Sequence, residues 1–217
     1  MSSIKEEQKI DNHVKYKGSR TLLQNGYLDL SNKKILNLND VEGFRELKTI
    51  RRLKLSNNKL NSLPEWIGEL SSLNYLDLCG NQLEILPDSL TKLLSLRFLN
   101  LSKNKLHSLP ALIGDLDSLR ILNLGNNRLK RLPESFVNLS SLIVLLLYKN
   151  RLKRLPEWIG FFPHLQELSV NFNRLELIPD TLENLESLKI KCYLIYCVIK
   201  GLELDYLGSF ENCNLRQ

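Results

Sequence analysis

The sequence predicts an α/β fold, a curved solenoid with a parallel β-sheet on its concave face and short helices or helical turns on its convex face. Three observations support this prediction. Six units of 23 residues follow one another, and they begin at Ile50, Leu73, Leu96, Leu119, Leu142 and Leu165. Each unit has apolar residues at its fourth and sixth positions, asparagine at its ninth and proline at its fifteenth. A fixed period of this kind is typical of arrays in which each unit packs on its neighbours.

The fourth and sixth positions predict the strand of each unit. In the unit that begins at Leu96 they are Leu99 and Leu101. Alternate residues of a strand point to the same face, so both side chains point inward. One strand cannot bury this face alone, whereas stacked units bury it in a shared core.

The ninth position predicts a structural ladder. The chain leaves the sheet here, and its buried backbone groups need hydrogen-bond partners. A carboxamide supplies both donors and an acceptor, so stacked asparagines can bond the turns of adjacent units. The ladder consists of Asn58, Asn81, Asn104, Asn127, Asn150 and Asn173.

The fifteenth position predicts the start of a convex helical turn. Proline suits the first helical position, and an acidic residue complements the helix dipole in the first turn. An acidic residue follows the proline in five of the six units, with Ala111 as the exception. Apolar residues three and six positions after the proline are expected to point into the core.

Four segments are predicted. Residues 1–20 form a polar N-terminal tail, and residues 21–49 form an N-terminal cap with a degenerate first repeat. The six regular units occupy residues 50–187, and residues 188–217 diverge from the pattern. The apolar run from Cys192 to Ile199 leaves two interpretations, a divergent C-terminal cap or the altered end of a longer array.

Composition and motifs give no indication of an enzyme. The net charge of +6 is a mild excess of bases, and no P-loop, nucleophile elbow or HExxH motif is present. No metal or cofactor is expected, because the spacing of Cys192, Cys197 and Cys213 fits no zinc pattern. The first 30 residues lack a signal-peptide pattern and no apolar run approaches 18 residues, so we expect a cytoplasmic protein with reduced thiols and no transmembrane segment.

The outward positions of the strands predict a protein-binding strip on the concave face. Four adjacent units place an apolar residue at the third position, and further apolar residues continue toward the C-terminal end. Exposed apolar strips rimmed by polar groups usually mark protein-binding sites. The alternative is that β-propensity alone fills these positions. The candidate residues are Tyr75, Phe98, Ile121, Val144, Leu146, Tyr148 and Phe172.

A second candidate site is a basic edge, formed where two consecutive units repeat the sequence RLKRLP. Stacked like charges repel one another, which favours an acidic partner, a phosphate or a membrane surface. The alternative is that these bases are ordinary solvated residues. Nucleic acid is less favoured, because no stacking module or groove-binding helix accompanies the cluster. The basic edge consists of Arg128, Lys130, Arg131, Arg151, Lys153 and Arg154.

The repeated pattern resembles that of leucine-rich repeat proteins over about residues 26–187. LPEWIGELSSL at residues 63–73 and LPALIGDLDSL at residues 109–119 are similar to the intracellular Ras-suppressor, plant Ras-group-related and Scribble-type repeats, and to the repeat segments of Roco-type GTPases. These relatives are adaptors and scaffolds, often in small-GTPase signalling. The resemblance therefore implies a partner that is a small GTPase or its regulator, although contact residues of the relatives do not carry over.

The sequence as a whole favours a non-enzymatic module that binds a protein partner on its concave face. Two alternatives stay open. One is an electrostatic module that docks through the basic edge, with peripheral membrane contact. The other is the non-catalytic recognition arm of a larger enzyme assembly.

Overall fold

The structure, a computed structural model, describes residues 13–16, 19–22, 24–44, 47–185, 188 and 190–192. One antiparallel hairpin precedes an open, curved parallel sheet of eight strands, which pair in chain order. This architecture confirms the predicted fold class. The strands are β1 (His13–Tyr16), β2 (Ser19–Leu22), β3 (Tyr27–Asp29), β4 (Arg52–Lys54), β5 (Tyr75–Asp77), β6 (Phe98–Asn100), β7 (Ile121–Asn123), β8 (Val144–Leu146), β9 (Glu167–Ser169) and β10 (Ile190–Cys192).

A single apolar core runs the length of the solenoid, from Val14 to Leu188. The inward residues of each strand line one side of it, and Leu99 and Leu101 of one unit are fully buried. Residues of the convex side line the other, as Phe136 and Leu139 do. Each unit therefore buries its apolar residues against the units on either side.

The convex side consists of short 3-10 helices, one for each unit. Five of the helices begin directly after the repeat proline, whose own backbone is still extended, as at Pro64 (φ −72°, ψ 152°). The proline is thus the N-cap and not the predicted first helical residue, because its carbonyl accepts the first 3-10 hydrogen bond from Ile67 at 3.0 Å. The helices are Leu38–Asp40, Glu65–Glu69, Asp88–Lys92, Ile113–Asp115, Glu134–Asn138, Glu157–Phe161 and Asp180–Asn184.

The hairpin β1–β2 packs at the N-terminal end of the array. Val14 is buried in the core, and Lys15 exchanges backbone hydrogen bonds with Glu42 at 3.0 and 2.9 Å. The hairpin therefore covers the first core layer, as the ends of solenoids require. It begins at His13, upstream of the cap that the sequence predicted from residue 21.

The strand pattern continues into the divergent C-terminal segment. In β10, Lys191 aligns with the inward residue Leu168 of β9, in the same parallel register as the preceding strands. Beyond Cys192 the segment lies outside the described residues. The choice between a terminal cap and an altered array, and the Cys197 and Cys213 positions, therefore stay at the level of the sequence.

Glycine at the nineteenth position of alternate units brings the convex segments together in pairs. A Cβ on Gly68, Gly114 or Gly160 would overlap the carbonyl oxygen of Ser89, Ser135 or Thr181, respectively, in the next unit. In each case the nineteenth position of one unit faces the seventeenth position of the next. At the two junctions between these pairs of units, the same positions hold Thr91 with Leu112, and Val137 with Trp158. The convex spacing thus alternates between close and wide junctions.

Two tryptophans on the convex side each pack against the preceding unit. The Trp66 indole N–H donates to Asn39 Oδ1 at 2.8 Å, and its ring meets Phe44 edge-on with centroids 5.2 Å apart. The Trp158 indole N–H donates to Glu134 Oε2 at 3.0 Å. Since both rings are partly buried against the core, these residues stabilise the stack of units.

Candidate functional site

The concave face presents three parallel rows of side chains. Two rows are the third and fifth positions of the units, which lie in β3 to β9, and the third row is the seventh position, which follows each strand. In the first row, the register places Tyr75 beside Phe98, Phe98 beside Ile121 and Ile121 beside Val144. All four side chains are partly exposed. The sheet thus brings these predicted binding residues into one continuous strip.

Aromatic and cationic groups stack at the N-terminal part of this row. The rings of Tyr75 and Phe98 are stacked with centroids 4.2 Å apart and an interplanar angle of 3°. The Arg52 guanidinium lies between two tyrosines, 5.7 Å from the Tyr27 ring centroid and 5.0 Å from that of Tyr75. Such contacts stabilise the arrangement of this row in the absence of a partner.

The C-terminal part of the strip is aliphatic and ends at Tyr148. Leu146 lies next to Asn123 on the adjacent strand, and both are partly exposed. The Tyr148 ring covers Gly125 so closely that a Cβ there would overlap the ring. Gly125 therefore creates the space in which Tyr148 lies flat on the concave face.

Phe172 stands at the rim of this surface and differs from the other predicted residues. It follows the seventh position, is 49% exposed and has a left-handed backbone with φ of 57°. The Lys149 ammonium lies 5.5 Å from its ring centroid. The eighth position is left-handed in every unit from Asn32 to Phe172. Asparagine and glycine tolerate this conformation, whereas a bulky phenylalanine is an outlier.

The fifth-position row contains turn-forming carboxylates and amides that the sequence analysis did not single out. The side chains of Asp29, Asp77, Asn100 and Asn123 each accept a hydrogen bond from the backbone N–H two residues later, at 2.9 to 3.1 Å. These bonds close the turn as the chain leaves the sheet. The signal was visible, because Asp or Asn recurs at this position in four of the seven strands from β3 to β9.

The two carboxylates of this row, Asp29 and Asp77, have pKa values shifted in opposite directions. Burial raises the pKa of Asp77, and the hydrogen bond from Cys79 and the charge of Lys54 do not overcome this effect. Burial also acts to raise the pKa of Asp29, but hydrogen bonds from Ser31 and Tyr27 together with Lys54 hold that pKa below its usual value. The hydroxyl of Tyr27 donates to Asp29 Oδ2 at 2.9 Å.

The asparagine ladder occupies the turn behind these rows. Asn127 Nδ2 donates to the carbonyls of Leu101 and Leu124 at 2.9 and 3.0 Å, and Asn127 Oδ1 accepts from the Leu106 N–H at 3.0 Å. The other five ladder asparagines donate to the equivalent pairs of carbonyls. The six side chains therefore hold adjacent turns together.

All six residues of the basic edge are exposed. Lys153 forms an ion pair with Glu176 of the next unit at 3.2 Å, and both side chains are well exposed. The Arg151 N–H donates to the Leu129 carbonyl at 2.9 Å, which brings Arg128 and Arg151 side by side along the edge where the strands end. The structure thus places the two RLKR segments next to each other.

Over the described part of the chain, no group of three or more His, Cys, Asp or Glu side chains could hold a metal ion. Within the same residues, no helix has the length and apolarity needed to cross a bilayer.

Two models of known protein families together match most of the solenoid. Residues 26–83 match a family model described as a leucine rich repeat, and residues 88–192 match one described as a leucine-rich repeat region. A comparison with curated proteins returned no match.

Several solved structures are similar to this chain. A leucine-rich repeat protein of Leptospira interrogans is 34% identical, with a TM-score of 0.71 over 74% of this chain and 41% of that one. The leucine-rich repeat ectodomain of the plant membrane receptor kinase GASSHO1/SCHENGEN3 from Arabidopsis thaliana, in complex with CASPARIAN STRIP INTEGRITY FACTOR 2, is 32% identical, with a TM-score of 0.62 over 67% of this chain and 18% of that one. A TDR receptor is 29% identical, with a TM-score of 0.55 over 60% of this chain and 24% of that one.

The fold and its open concave face define a class of repeat proteins whose domains generally mediate protein–protein interaction and are generally non-enzymatic. The chain belongs to the leucine-rich repeat family. It spans less than half the length of each of the three solved structures.

Proposed function

We propose that this chain is a non-enzymatic adaptor or scaffold module that binds a protein partner on its concave face. The observation that supports the proposal is the continuous apolar row from Tyr75 to Val144, which Leu146 and Tyr148 extend on the same face. Burial of apolar side chains contributes about 25 cal/mol per Å², and aromatic residues dominate binding energy at interfaces. A partner that covers this row removes apolar surface that the fold leaves in water.

A role in small-GTPase signalling, with a small GTPase or its regulator as partner, is the finer form of this proposal. Its support is the LPxxIG form of the repeats, which resembles that of Ras-suppressor-type proteins. A cytoplasmic location belongs to the same proposal and depends on the same resemblance to intracellular repeat proteins.

The alternative function is an electrostatic module that docks an acidic partner, a phosphate or a membrane surface through the basic edge. Its support is the side-by-side placement of the two RLKR segments, of which only Lys153 has an ion pair described for it. A third possibility, the recognition arm of a larger enzyme assembly, would use the same concave face.

The test compares three forms of the chain in affinity capture with quantitative mass spectrometry. The concave variant is Ile121→Gln with Leu146→Ser, and it adds no charge. Serine at position 146 has a precedent in the next strand, because Ser169 of β9 aligns with Leu146. The edge variant changes Lys130, Arg131, Lys153 and Arg154, the four residues of the basic edge that lie furthest along the chain from the strands, to glutamate. Melting temperatures establish that each variant is folded.

The outcome separates the two functions. We expect the concave variant to lose the main captured protein and the edge variant to retain it. Loss in the edge variant alone would contradict the concave-face proposal and favour the electrostatic module, which vesicles containing phosphatidylserine would then test directly.

A further inference from the structure

The charges of the three central units are separated between the two faces of the solenoid. Residues 96–164 contain eleven lysines and arginines and only four acidic residues, whereas the rest of the chain is close to neutral. The four acids lie on or next to the convex helices, and they are Asp115, Asp117, Glu134 and Glu157. The bases lie at the second position of a unit, just before its strand, or between the eighth and thirteenth positions, after its strand.

These bases form one row on each side of the apolar strip. Before the strands, the Arg120 N–H donates to the Arg97 carbonyl at 2.9 Å, so the two arginines are neighbours at the start of β6 and β7. After the strands stand Lys103, Lys149 and Arg151, together with Arg128. All six side chains are exposed. The apolar strip is therefore bordered by positive charge on both sides in the units that begin at Leu96 and Leu119. In the unit that begins at Leu142 it is bordered only after the strand, because the second position there is Ile143.

The dimensions suit a single polypeptide segment. The eighth position follows the second by six residues, so the two rows are at most about 20 Å apart. A helix with its side chains is about 10–12 Å wide. Such a helix lying over Ile121, Val144 and Leu146 would bring acidic side chains on its two flanks within reach of both rows.

We infer that the partner of the concave face is an acidic amphipathic segment, whose apolar side chains cover Ile121, Val144 and Leu146 and whose carboxylates meet the two basic rows. This inference rests on the proposed concave-face function and specifies the chemistry of its partner. Charge complementarity of this kind sets specificity and accelerates association. The aliphatic centre favours a polypeptide over a nucleic acid, which stacks its bases on aromatic rings or guanidinium planes.

The test begins with a display library of random peptides of about 16 residues, which span about 24 Å as a helix, selected on the intact chain. The selected peptides are then measured by isothermal titration calorimetry against four variants. Two reverse one basic row each, Arg97→Glu with Arg120→Glu and Arg128→Glu with Arg151→Glu. The third is the neutral concave variant, Ile121→Gln with Leu146→Ser.

The matched control is Lys33→Glu with Lys59→Glu. This control changes the net charge by the same amount as each row reversal. Both lysines are exposed and follow their strands, as Arg128 and Arg151 do, but they lie at the N-terminal end of the array. Lys59 and Arg128 are three units apart, or about 14 Å at the strands. This separation exceeds the screening length of about 8 Å at physiological ionic strength.

We expect selected peptides that combine acidic with aliphatic or aromatic residues. Each row reversal should weaken binding about tenfold, the concave variant should weaken it at least as much, and the control should change it less than about twofold. Binding should also weaken as salt concentration rises.

Other outcomes overturn the inference and distinguish it from the proposed function. Peptides that lack acidic residues and bind the row reversals normally would refute the inference, while sensitivity to the concave variant would keep the proposed function. Failure to obtain any peptide that depends on Ile121 and Leu146 would refute both. A thymidine oligonucleotide that binds more tightly than the best peptide, with the same dependence on the rows, would make nucleic acid the occupant.

Discussion

The backbone N–H of Gly114 donates to the hydroxyl of Ser135 in the next unit at 3.1 Å. A Cβ on Gly114 would overlap the Ser135 carbonyl oxygen. This close approach joins two convex segments into a pair, and it recurs at Gly68 with Ser89 and at Gly160 with Thr181.

Replacing Gly114 with alanine should destabilise the fold by roughly 1–3 kcal/mol. The added Cβ would overlap the backbone of Ser135, which cannot move aside as a flexible side chain can. Chemical denaturation measures this loss. The matched control is Val137→Ala, which lies at the same position of the next unit, is 49% exposed and faces a wide junction. A loss at Gly114 no larger than at Val137 would contradict the paired arrangement.

Replacing Asn127 with alanine should cost roughly 1–3 kcal/mol, because it leaves the buried N–H of Leu106 without its partner. It also removes one of the two amide donors to each of the carbonyls of Leu101 and Leu124, which keep their bonds from Asn104 and Asn150. Arg128→Glu, one residue away on the exposed edge, should change the unfolding free energy by less than about 1 kcal/mol. Thermal and urea melts of the two variants give the comparison. The reverse order of stability would contradict the ladder.

Replacing Phe172 with asparagine should stabilise the protein by up to about 1 kcal/mol, although it removes the contact with Lys149. The left-handed backbone costs a bulky residue about 1–2 kcal/mol, and the cation–π contact returns about 0.5–1 kcal/mol. The reciprocal variant Asn126→Phe, at the equivalent left-handed position, should destabilise. Denaturant midpoints of the two variants measure both effects. If Phe172→Asn is more stable than the parent but binds the partner more weakly, Phe172 is a binding residue.

Replacing Asp77 with asparagine should stabilise the protein at neutral pH. The pKa of Asp77 is raised by burial, so the folded protein loses stability as the pH rises through that pKa. Asparagine removes this cost and keeps the turn hydrogen bond, as Asn100 and Asn123 show. The advantage should disappear as the pH falls through the pKa of Asp77.

Asp29→Asn is the matched control with the opposite sign. The pKa of Asp29 is lowered, so its ionised form contributes stability above the unfolded pKa of about 3.9, and this contribution is lost as the pH falls through the folded pKa. The asparagine variant should be less stable than the parent at neutral pH. Urea denaturation from about pH 3 to pH 7 measures both variants, and curves with the same sign would contradict the assignment.

The fold was predictable because its contacts repeat. Leu99, Leu101 and Asn104 each make the same contacts in every unit, so the residue types recur at a fixed spacing. The pairing of convex segments left a signal too, since glycine at the nineteenth position recurs every second unit. A period of 23 residues conceals this signal, whereas a search at twice that period would reveal it.

Other features depend on geometry that a pattern does not contain. The left-handed eighth position is suggested by Asn57 and Gly80 but is obscured by Lys103 and Phe172, since only the stacking of turns imposes that conformation. The opposite pKa shifts of Asp29 and Asp77 arise from burial and neighbours on adjacent strands. The strip on the concave face was predictable from strand alternation, but its partner was not, because the fold prescribes none of those side chains.

The alternation of close and wide junctions on the convex side makes 46 residues, two units, the natural step by which such an array can change length. Excising one unit, residues 73–95, would set Gly68 opposite Leu112 in place of Ser89. A glycine that forms a close junction would then face a residue that normally belongs to a wide junction. Excising two units, residues 73–118, would set Gly68 opposite Ser135, whose counterpart it already meets. Engineered or duplicated versions of this solenoid therefore preserve their packing when they grow or shrink by an even number of repeats.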